Sequence, residues 1–195
     1  RMKNNRFGQS AIITTDDYLK LRRLQRNAKH KLILDIAWFT GERWGAIVQL
    51  MKSDCYHVNG NTKDVITFRS NTRKASPDGT RLTRQVPMHD TLKEHLAAYP
   101  ASVISEWMFP RIHHPSEHIV LRTADYFFRN AIERAGFGNR GISTHSTRRS
   151  MITRLYNNGT DLMTIKQITG HRDNKSLMRY IEHDEQRTIG AIQAL

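Results

Sequence analysis

The sequence predicts a mainly helical α+β domain, and three observations support that fold class. Apolar residues recur at helical spacing both before Met51 and after His89. The stretch between them is rich in β-branched and aromatic residues with partial alternation, which is typical of strands. A hydrophobic content of 38% in 195 residues is sufficient for a folded core.

The part of the chain before the strands predicts three helices. Hydroxyl and acidic residues from Thr14 to Asp17 form a typical helix start, because they cap free N–H groups and face the positive dipole end. A second helix is expected from about Leu32 to Phe39, where Thr40-Gly41 ends it. A third is expected from Glu42 to Met51.

The middle of the chain predicts a small antiparallel sheet that carries a long basic hairpin. The expected strands are Tyr56–Val58, Val65–Phe68 and Leu82–Met88. Pro77-Asp78-Gly79 is a strong turn pattern between the last two strands. Helices return afterwards, with Gly159 and Gly170 as helix ends, and the expected segments are Asp90–Tyr99, Thr123–Gly136, one that opens at Ser143-Thr144, Asp161–Thr169 and Asn174–Glu182.

The charge of the chain indicates a polyanionic partner. Lys and Arg number 31 against 18 Asp and Glu, which gives a net charge of +13 and a pI near 10.3. Nucleic acid is favoured over a membrane surface, since the sequence has no basic amphipathic helix of that kind and no run of about 20 apolar residues. Cys55 is the one cysteine, which excludes an internal disulfide and a cysteine-based zinc site and fits a reducing cytoplasm.

The stretch from Gly141 to Gly159 contains a candidate phosphate clamp. His145 and Arg148 are three residues apart and therefore share one helix face. With Ser143 or Thr144 as N-cap, the first backbone N–H groups and the dipole already favour an anion there, and Arg148 adds a planar fork. The alternative is an ordinary basic helix with a polar cap.

Two further motifs are weak when each is taken alone. Arg43 is expected in the first turn of a helix, where a cation opposes the dipole unless an anion compensates; the alternative is a surface arginine. Gly170-His171 follows a helix, and Tyr180 comes nine residues later, where a core or surface aromatic is the alternative.

Taken in order, these motifs resemble the tyrosine recombinases, the integrase-type site-specific DNA recombinases. The shared pattern is T-G-x-R, then H-x-x-R, then G-H and a tyrosine, and it spans about Ile12 to Tyr180. The resemblance implies a catalytic domain at 12–182, a linker at 1–11 from an N-terminal DNA-clamping domain, and a tail at 183–195. That tail either packs on its own domain or docks on a neighbouring protomer. Ala46 departs from the family, which commonly has an acidic residue there.

The resemblance also implies a chemistry for each motif. Tyr180 would attack a DNA phosphodiester and leave a 3′-phosphotyrosine and a free 5′-hydroxyl, with no metal or nucleotide cofactor. His145 would act as general base and His171 as a hydrogen-bond donor. Arg43 and Arg148 would hold the non-bridging oxygens. Lys74, the one lysine in the hairpin tip, would protonate the leaving oxygen; its alternative is a solvated lysine on backbone phosphates.

The remaining basic residues suggest positioning contacts with the DNA backbone. The expected DNA-binding residues are Arg69, Arg73, Arg81, Arg84 and Arg149. The run His113–His118 could suggest zinc, but its proline and the lack of a finger-like frame favour a polar loop.

The implied function is that of an integrase or recombinase of a phage or another mobile element, which acts on double-stranded DNA in the bacterial cytoplasm. Self-association on DNA, up to a tetramer, and accessory DNA-bending proteins are expected partners. Three alternatives stay open: a type IB topoisomerase, a telomere resolvase, and a non-catalytic DNA-binding module with a phosphate pocket.

Overall fold

The computed structural model describes residues 10–75, 78–171, 177–178 and 193. The chain divides into two compact units, 1–151 and 152–195, and the division falls within one helix. The described elements, in chain order, are α1 Thr15–Leu24, α2 Ala28–Thr40, α3 Trp44–Ile47, α4 Lys52–Cys55, β1 Val65–Phe68, a 3₁₀ turn Ser70–Thr72, β2 Arg84–Pro87, α5 Asp90–Ala97, α6 Leu121–Arg134, α7 Thr144–Asn157 and α8 Leu162–Thr169.

The first two helices begin where side chains cap them. The Thr14 hydroxyl accepts from Asp17 N–H at 3.1 Å and the Asp17 carboxylate accepts from Thr14 N–H at 2.9 Å, a reciprocal cap. Helix α2 starts earlier than predicted because Asn27 accepts from Lys29 N–H at 2.8 Å. It is buried over most of its length and ends at Gly41, whose φ of 60° is left-handed.

The single helix predicted from Glu42 to Met51 is wrong. Helix α3 ends at Ile47, and the chain then pairs with a distant segment: Lys52 N–H donates to Glu106 O at 2.8 Å and Met108 N–H donates to Leu50 O at 2.9 Å. Met51 N–H is taken by the Asp54 carboxylate at 2.8 Å, which opens the short α4. These long-range pairs replace the helical ones.

The sheet of the described region has two antiparallel strands, so the basic hairpin is confirmed and the third strand is wrong. Tyr56 forms only an isolated bridge with Thr62. In the β1–β2 register Phe68 faces Arg84, and both side chains are buried. Because strand residues alternate in direction, this pairing turns Arg84 toward the interior instead of toward solvent.

Helices α5 and α6 and the start of α7 also belong to the first unit. His89 caps α5 by accepting from Thr91 N–H at 3.2 Å. Helix α6 is strongly amphipathic and buries Phe127 and Phe128. The Trp44 ring packs on Phe128 with ring centroids 4.7 Å apart, so α3 is seated on α6.

The second unit contains the end of α7 and the whole of α8. Asp161 caps α8 by accepting from Thr164 N–H at 2.9 Å, and Gly170, at φ 69°, ends it as predicted. Ile152, Ile165 and Leu177 form its apolar cluster. The predicted helix 174–182 and the tail 183–195 lie outside the described residues, apart from 177–178 and 193. Within the described part of the chain, every helix is too short or too polar to cross a bilayer.

Candidate active site

The turn between α2 and α3 carries Arg43. Its backbone is extended (φ −68°, ψ 136°), and it occupies the N-cap position of α3, one residue before the predicted first turn. Gly41 reverses the chain just before it. A side chain at an N-cap projects beside the first free N–H groups of the helix, so Arg43 and those groups face the same space.

The start of α7 is held by a serine cap. His145 N–H donates to the Ser143 hydroxyl at 3.3 Å, and Ser143 N–H donates to the Ser146 hydroxyl at 3.1 Å. Of the two predicted caps, Ser143 is therefore confirmed. One turn further on, the Thr147 hydroxyl accepts from the Trp44 indole N–H at 3.2 Å. That contact fixes the start of α7 against α3.

Arg148 is buried within the same region. Its side chain is almost wholly enclosed, and its Nη1 donates to the Gly41 carbonyl at 2.8 Å. Met151, one turn along α7, packs so closely on Gly41 that a Cβ there would lie 2.5 Å from the Met151 sulfur. The turn before Arg43 and the helix bearing Arg148 are therefore locked together.

A cleft of about 290 Å³ opens between these elements and the hairpin. It brings together four of the predicted catalytic residues: Arg43, Lys74, His145 and Arg148. Their catalytic roles stay predictions, but the cleft places three full cations around one imidazole. The remaining lining residues are Glu42, Trp44, Gly45, Ala46, Gln49, Thr72, Arg73, Leu121 and Thr144.

The charge state of His145 follows from this setting. Although its side chain is partly exposed, desolvation in the cleft lowers the imidazole pKa below the ordinary 6.5. The neighbouring cations Arg43, Arg148 and Lys74 lower the pKa further. His145 is therefore neutral at pH 7 and can accept a proton.

Glu42 is a buried anion that the sequence reasoning did not assign. One carboxylate oxygen accepts from Arg43 N–H at 2.8 Å. The other accepts from Arg84 Nη1 at 2.9 Å and from Arg73 Nε at 3.2 Å. Burial alone would raise its pKa, but the two guanidinium groups and the N–H outweigh burial and lower the pKa. The sequence offered one indication of this role: the adjacent Arg43 is a cation at a helix start, where an anion nearby is favourable.

Two of the predicted DNA contacts, Arg84 and Arg149, have buried side chains. Arg84 has a side chain only 4% exposed, and its guanidinium donates to Glu42 and to the Thr40 carbonyl. Arg149 is also buried and donates to the Ser10 carbonyl at 2.9 Å. Internal acceptors thus hold both terminal nitrogens of Arg84 and one of Arg149, and a role of either residue in DNA binding stays a prediction.

The other three predicted DNA contacts differ in exposure. Arg69 pairs with Asp54 at 3.2 Å and donates to the Gln49 carbonyl. Arg73 pairs with Glu42 and donates to the Leu82 carbonyl at 2.7 Å. Arg81 is exposed, with one contact to the Asn71 carbonyl at 3.1 Å. Of these three arginines, Arg81 is therefore the most accessible to DNA.

His171 and Tyr180 belong to the second unit. The His171 Nδ1 lies 2.7 Å from the Thr169 hydroxyl, which itself donates to the Ile165 carbonyl, so one ring nitrogen is held by the end of α8. Tyr180 lies outside the described residues. The structure therefore groups Arg43, Lys74, His145 and Arg148 and leaves the roles of His171 and Tyr180 as predictions.

The histidine-rich run at 113–118 forms a loop with internal contacts. Glu117 pairs with Arg111, and His118 Nδ1 lies 2.8 Å from the Ile119 carbonyl. In the described part of the chain, His, Cys, Asp and Glu do not gather in groups of three or more that could hold a metal ion.

The fold and the cleft define a mainly helical α+β domain with a strongly cationic site for an anion. Its sequence matches the phage integrase family over residues 11–187, and the chain belongs to that family. The predicted fold class and the predicted family are both confirmed.

Individual relatives agree with this assignment. The chain is 29% identical over 111 residues to tyrosine recombinase XerD of Brucella suis biovar 1 (strain 1330), which covers 53% of this chain and 36% of that protein. The chain therefore spans about a third of the length of this curated relative.

Solved structures show the same fold. The crystal structure of XerA recombinase matches 96% of this chain and 66% of its own, with a TM-score of 0.74 and 18% identity. The catalytic domain of bacteriophage HP1 integrase matches 95% of both chains, with a TM-score of 0.60 and 22% identity. XerH recombinase bound to its difH substrate matches 93% of this chain and 53% of its own, with a TM-score of 0.69 and 19% identity.

Proposed function

We propose that the chain is the strand-cleaving and rejoining part of a site-specific DNA recombinase of the integrase type. The observation that carries the proposal is the cleft in which Arg43, Lys74, His145 and Arg148 meet. Three cations around a neutral imidazole suit cleavage of a phosphodiester. The cations match its negative charge, and the imidazole can accept the proton that the attacking hydroxyl loses.

The arginines would bind the scissile phosphate. Arg148 is held by the Gly41 carbonyl, so its guanidinium is oriented before DNA arrives, and Arg43 lines the same cleft from the adjoining turn. Charge that develops on the non-bridging oxygens in the five-coordinate transition state would be stabilised by both guanidinium groups. Removal of one such donor costs about 10²–10³ in rate in comparable sites.

Tyr180 would be the nucleophile and His145 its general base. A phenol with a pKa near 10 is almost wholly protonated at pH 7, a handicap of about 4 kcal/mol for the phenolate. A neutral His145 can remove the proton during attack, so that the Tyr180 oxygen bonds to phosphorus as the bond to the 5′-oxygen breaks. His171 would donate a further hydrogen bond to the phosphate.

Lys74 would protonate the leaving 5′-oxygen. It is exposed at the cleft, whereas Lys63 is directed elsewhere and donates to the Ser53 carbonyl at 2.6 Å. The phosphotyrosine keeps the energy of the broken bond, so attack by a 5′-hydroxyl of another strand would rejoin DNA. These steps use no metal ion and no nucleotide.

Double-stranded DNA is the proposed partner, and integration or excision of mobile DNA in a bacterial cytoplasm is the proposed setting. The net charge of +13 supports a polyanionic partner. The XerH neighbour and the Tn1549 transposon integrase were both solved in complex with DNA. Self-association on DNA, up to a tetramer, would bring together the strands to be exchanged.

A covalent adduct tests the proposal. The protein is incubated with nicked duplexes tiled across the genomic region that surrounds its gene, beside Tyr180→Phe, and resolved on a denaturing gel. We expect a detergent-resistant shifted band that is absent in the variant, while both proteins bind DNA equally in a native gel. DNA binding without any covalent band in the wild type would instead indicate a binding module.

A further inference from the structure

The loop between β1 and β2, which carries Lys74, is fastened to the turn between α2 and α3 by the buried carboxylate of Glu42. Its three donors come from separate segments: Arg43 from the α2–α3 turn, Arg73 from the loop, and Arg84 from the start of β2. Arg73 immediately precedes Lys74 in the chain. Glu42 thus joins the backbone of Arg43 to Arg73, the residue next to Lys74.

Other hydrogen bonds hold the loop together and fix β2 to the end of α2. Arg73 also donates to the Leu82 carbonyl at 2.7 Å, and Arg81 donates to the Asn71 carbonyl at 3.1 Å, so the two arms of the loop are tied to each other. Arg84 donates to the Thr40 carbonyl at 2.7 Å, which fixes the base of β2 to the end of α2. Glu42 is the common acceptor through which the tied loop meets the turn of Arg43.

The charge balance of the cleft agrees with a structural anion. Among the described residues that line the cleft, Glu42 is the one that carries negative charge, and Ala46, three residues after Arg43, has no acceptor. Glu42 pairs with both Arg73 and Arg84, which offsets one of their two positive charges and holds both side chains inward. The cations left to face a phosphate are then Arg43, Lys74 and Arg148.

We propose that Glu42 is a positioning residue that places Lys74 for proton transfer to the leaving oxygen. The proposal rests on the proposed function, because it assigns Glu42 a part in the same cleavage step. In that step the bond from phosphorus to the 5′-oxygen breaks, and the Lys74 ammonium gives its proton to that oxygen. Without the Glu42 carboxylate, Arg73 keeps its bond to the Leu82 carbonyl but loses its ion pair, and the loop loses its attachment beside Arg43.

A change of leaving atom isolates this effect. If sulfur replaces the 5′-bridging oxygen at the cleavage position, the leaving thiolate needs no proton, so any defect in the general acid disappears. Single-turnover adduct formation is measured on the oxygen and sulfur duplexes with wild type, Lys74→Ala and Glu42→Gln. We expect both variants to be slower by about 100-fold on oxygen and by less than about fivefold on sulfur.

A second variant covers the case in which Glu42→Gln does not fold. Arg73→Gln removes the loop end of the attachment and leaves the Glu42–Arg84 pair in place, so the same loss on oxygen and recovery on sulfur is expected. The matched control is Lys63→Ala, whose side chain binds the Ser53 carbonyl outside the cleft; its ratio of oxygen to sulfur rates should equal that of the wild type.

The possible results distinguish failure of the Glu42 positioning role from failure of the proposed strand cleavage. Equal slowing of Glu42→Gln, or of Arg73→Gln where only that variant folds, on both duplexes overturns the positioning role and leaves strand cleavage intact, provided that Lys74→Ala recovers on sulfur. Unchanged or faster cleavage also overturns it, since Glu42 would then only weaken phosphate binding through its charge. An inactive wild type on both duplexes removes the proposed function and the inference together.

Discussion

The two sides of the cleft are held in place by different kinds of interaction. On the α3–α7 side, Arg148 is enclosed and donates to Gly41, Met151 fills the space over that glycine, and Thr147 binds Trp44. On the hairpin side, Lys74 is exposed, and its loop is attached through the ion pairs of Glu42. Close packing fixes Arg148, which would bind the phosphate, whereas a charged contact holds the loop of Lys74, which would protonate the leaving group.

The difference has a consequence for function. Preorganised donors must hold their geometry before the transition state forms, and tight packing achieves this at a fixed position. A proton donor has to approach the leaving oxygen at the moment of bond cleavage, and an exposed lysine on a loop held by ion pairs permits that approach. Substitutions on the packed side should therefore lower both stability and the cleavage rate. Substitutions in the exposed part of the loop should change one of these properties without the other.

The largest expected effect on stability is at the base of the hairpin. Arg84→Gln leaves part of the buried Glu42 charge uncompensated and removes the bond to the Thr40 carbonyl. We expect the free energy of unfolding to fall by about 3 kcal/mol, as measured by chemical denaturation. The matched control is Arg81→Gln, on the exposed part of the same loop, which should change stability by less than about 0.5 kcal/mol. Equal losses in both would mean that the hairpin is not anchored at Arg84.

A smaller loss is expected on the packed side. Gly41→Ala forces a side chain into a left-handed conformation and against the Met151 sulfur, so we expect about 2 kcal/mol of lost stability. Gly136→Ala is the control, because its φ of 75° is similar but an added Cβ meets nothing within 4 Å. The strain is then the same and the clash is absent, so Gly41→Ala must be the more damaging change. A reversed order would contradict the tight contact of α7 with this turn.

The smallest expected effect is a shift in the titration of His145. Its pKa is lowered by desolvation and by three cations, so its NMR titration midpoint should lie below 6.5. Lys74→Ala removes one cation and should move the midpoint upward, and inorganic phosphate should do the same in the wild type. Cleavage should be insensitive to His145 above pH 6.5 and should fall as the pH drops through the lowered pKa. A midpoint above 6.5 would contradict the cationic surroundings.

Local chemistry explains which elements were predictable. The cap at Thr14 and the helix ends at Gly41 and Gly170 were recognised because each depends on residues within one turn of chain. The break after Ile47 was missed because it depends on pairing with residues 106–108, which local propensity does not contain. A strand was predicted at Tyr56 because the local residues are β-forming. It does not form, because the segment has no long partner and Tyr56 makes only an isolated bridge.

The same distinction applies to the site. The spacing of His145 and Arg148 on one helix predicted a shared face, and their motif order indicated that Arg43 belongs with them. The fates of Arg84 and Arg149 could not be predicted, because whether an arginine meets solvent or a buried acceptor depends on the tertiary fold. Glu42 was missed for that reason, since its partners are 31 and 42 residues away in the chain.

Tyr180 is the proposed nucleophile, and the most direct measurement is to locate the covalent bond that it would form with DNA. The adduct formed on nicked DNA is digested with protease and nuclease, and the modified peptide is sequenced by mass spectrometry. We expect a nucleotide joined through its 3′-phosphate to the Tyr180 oxygen, with a yield that falls sharply in Arg148→Ala. A nucleotide on any other residue, or a 5′-phosphate linkage, would contradict that proposal.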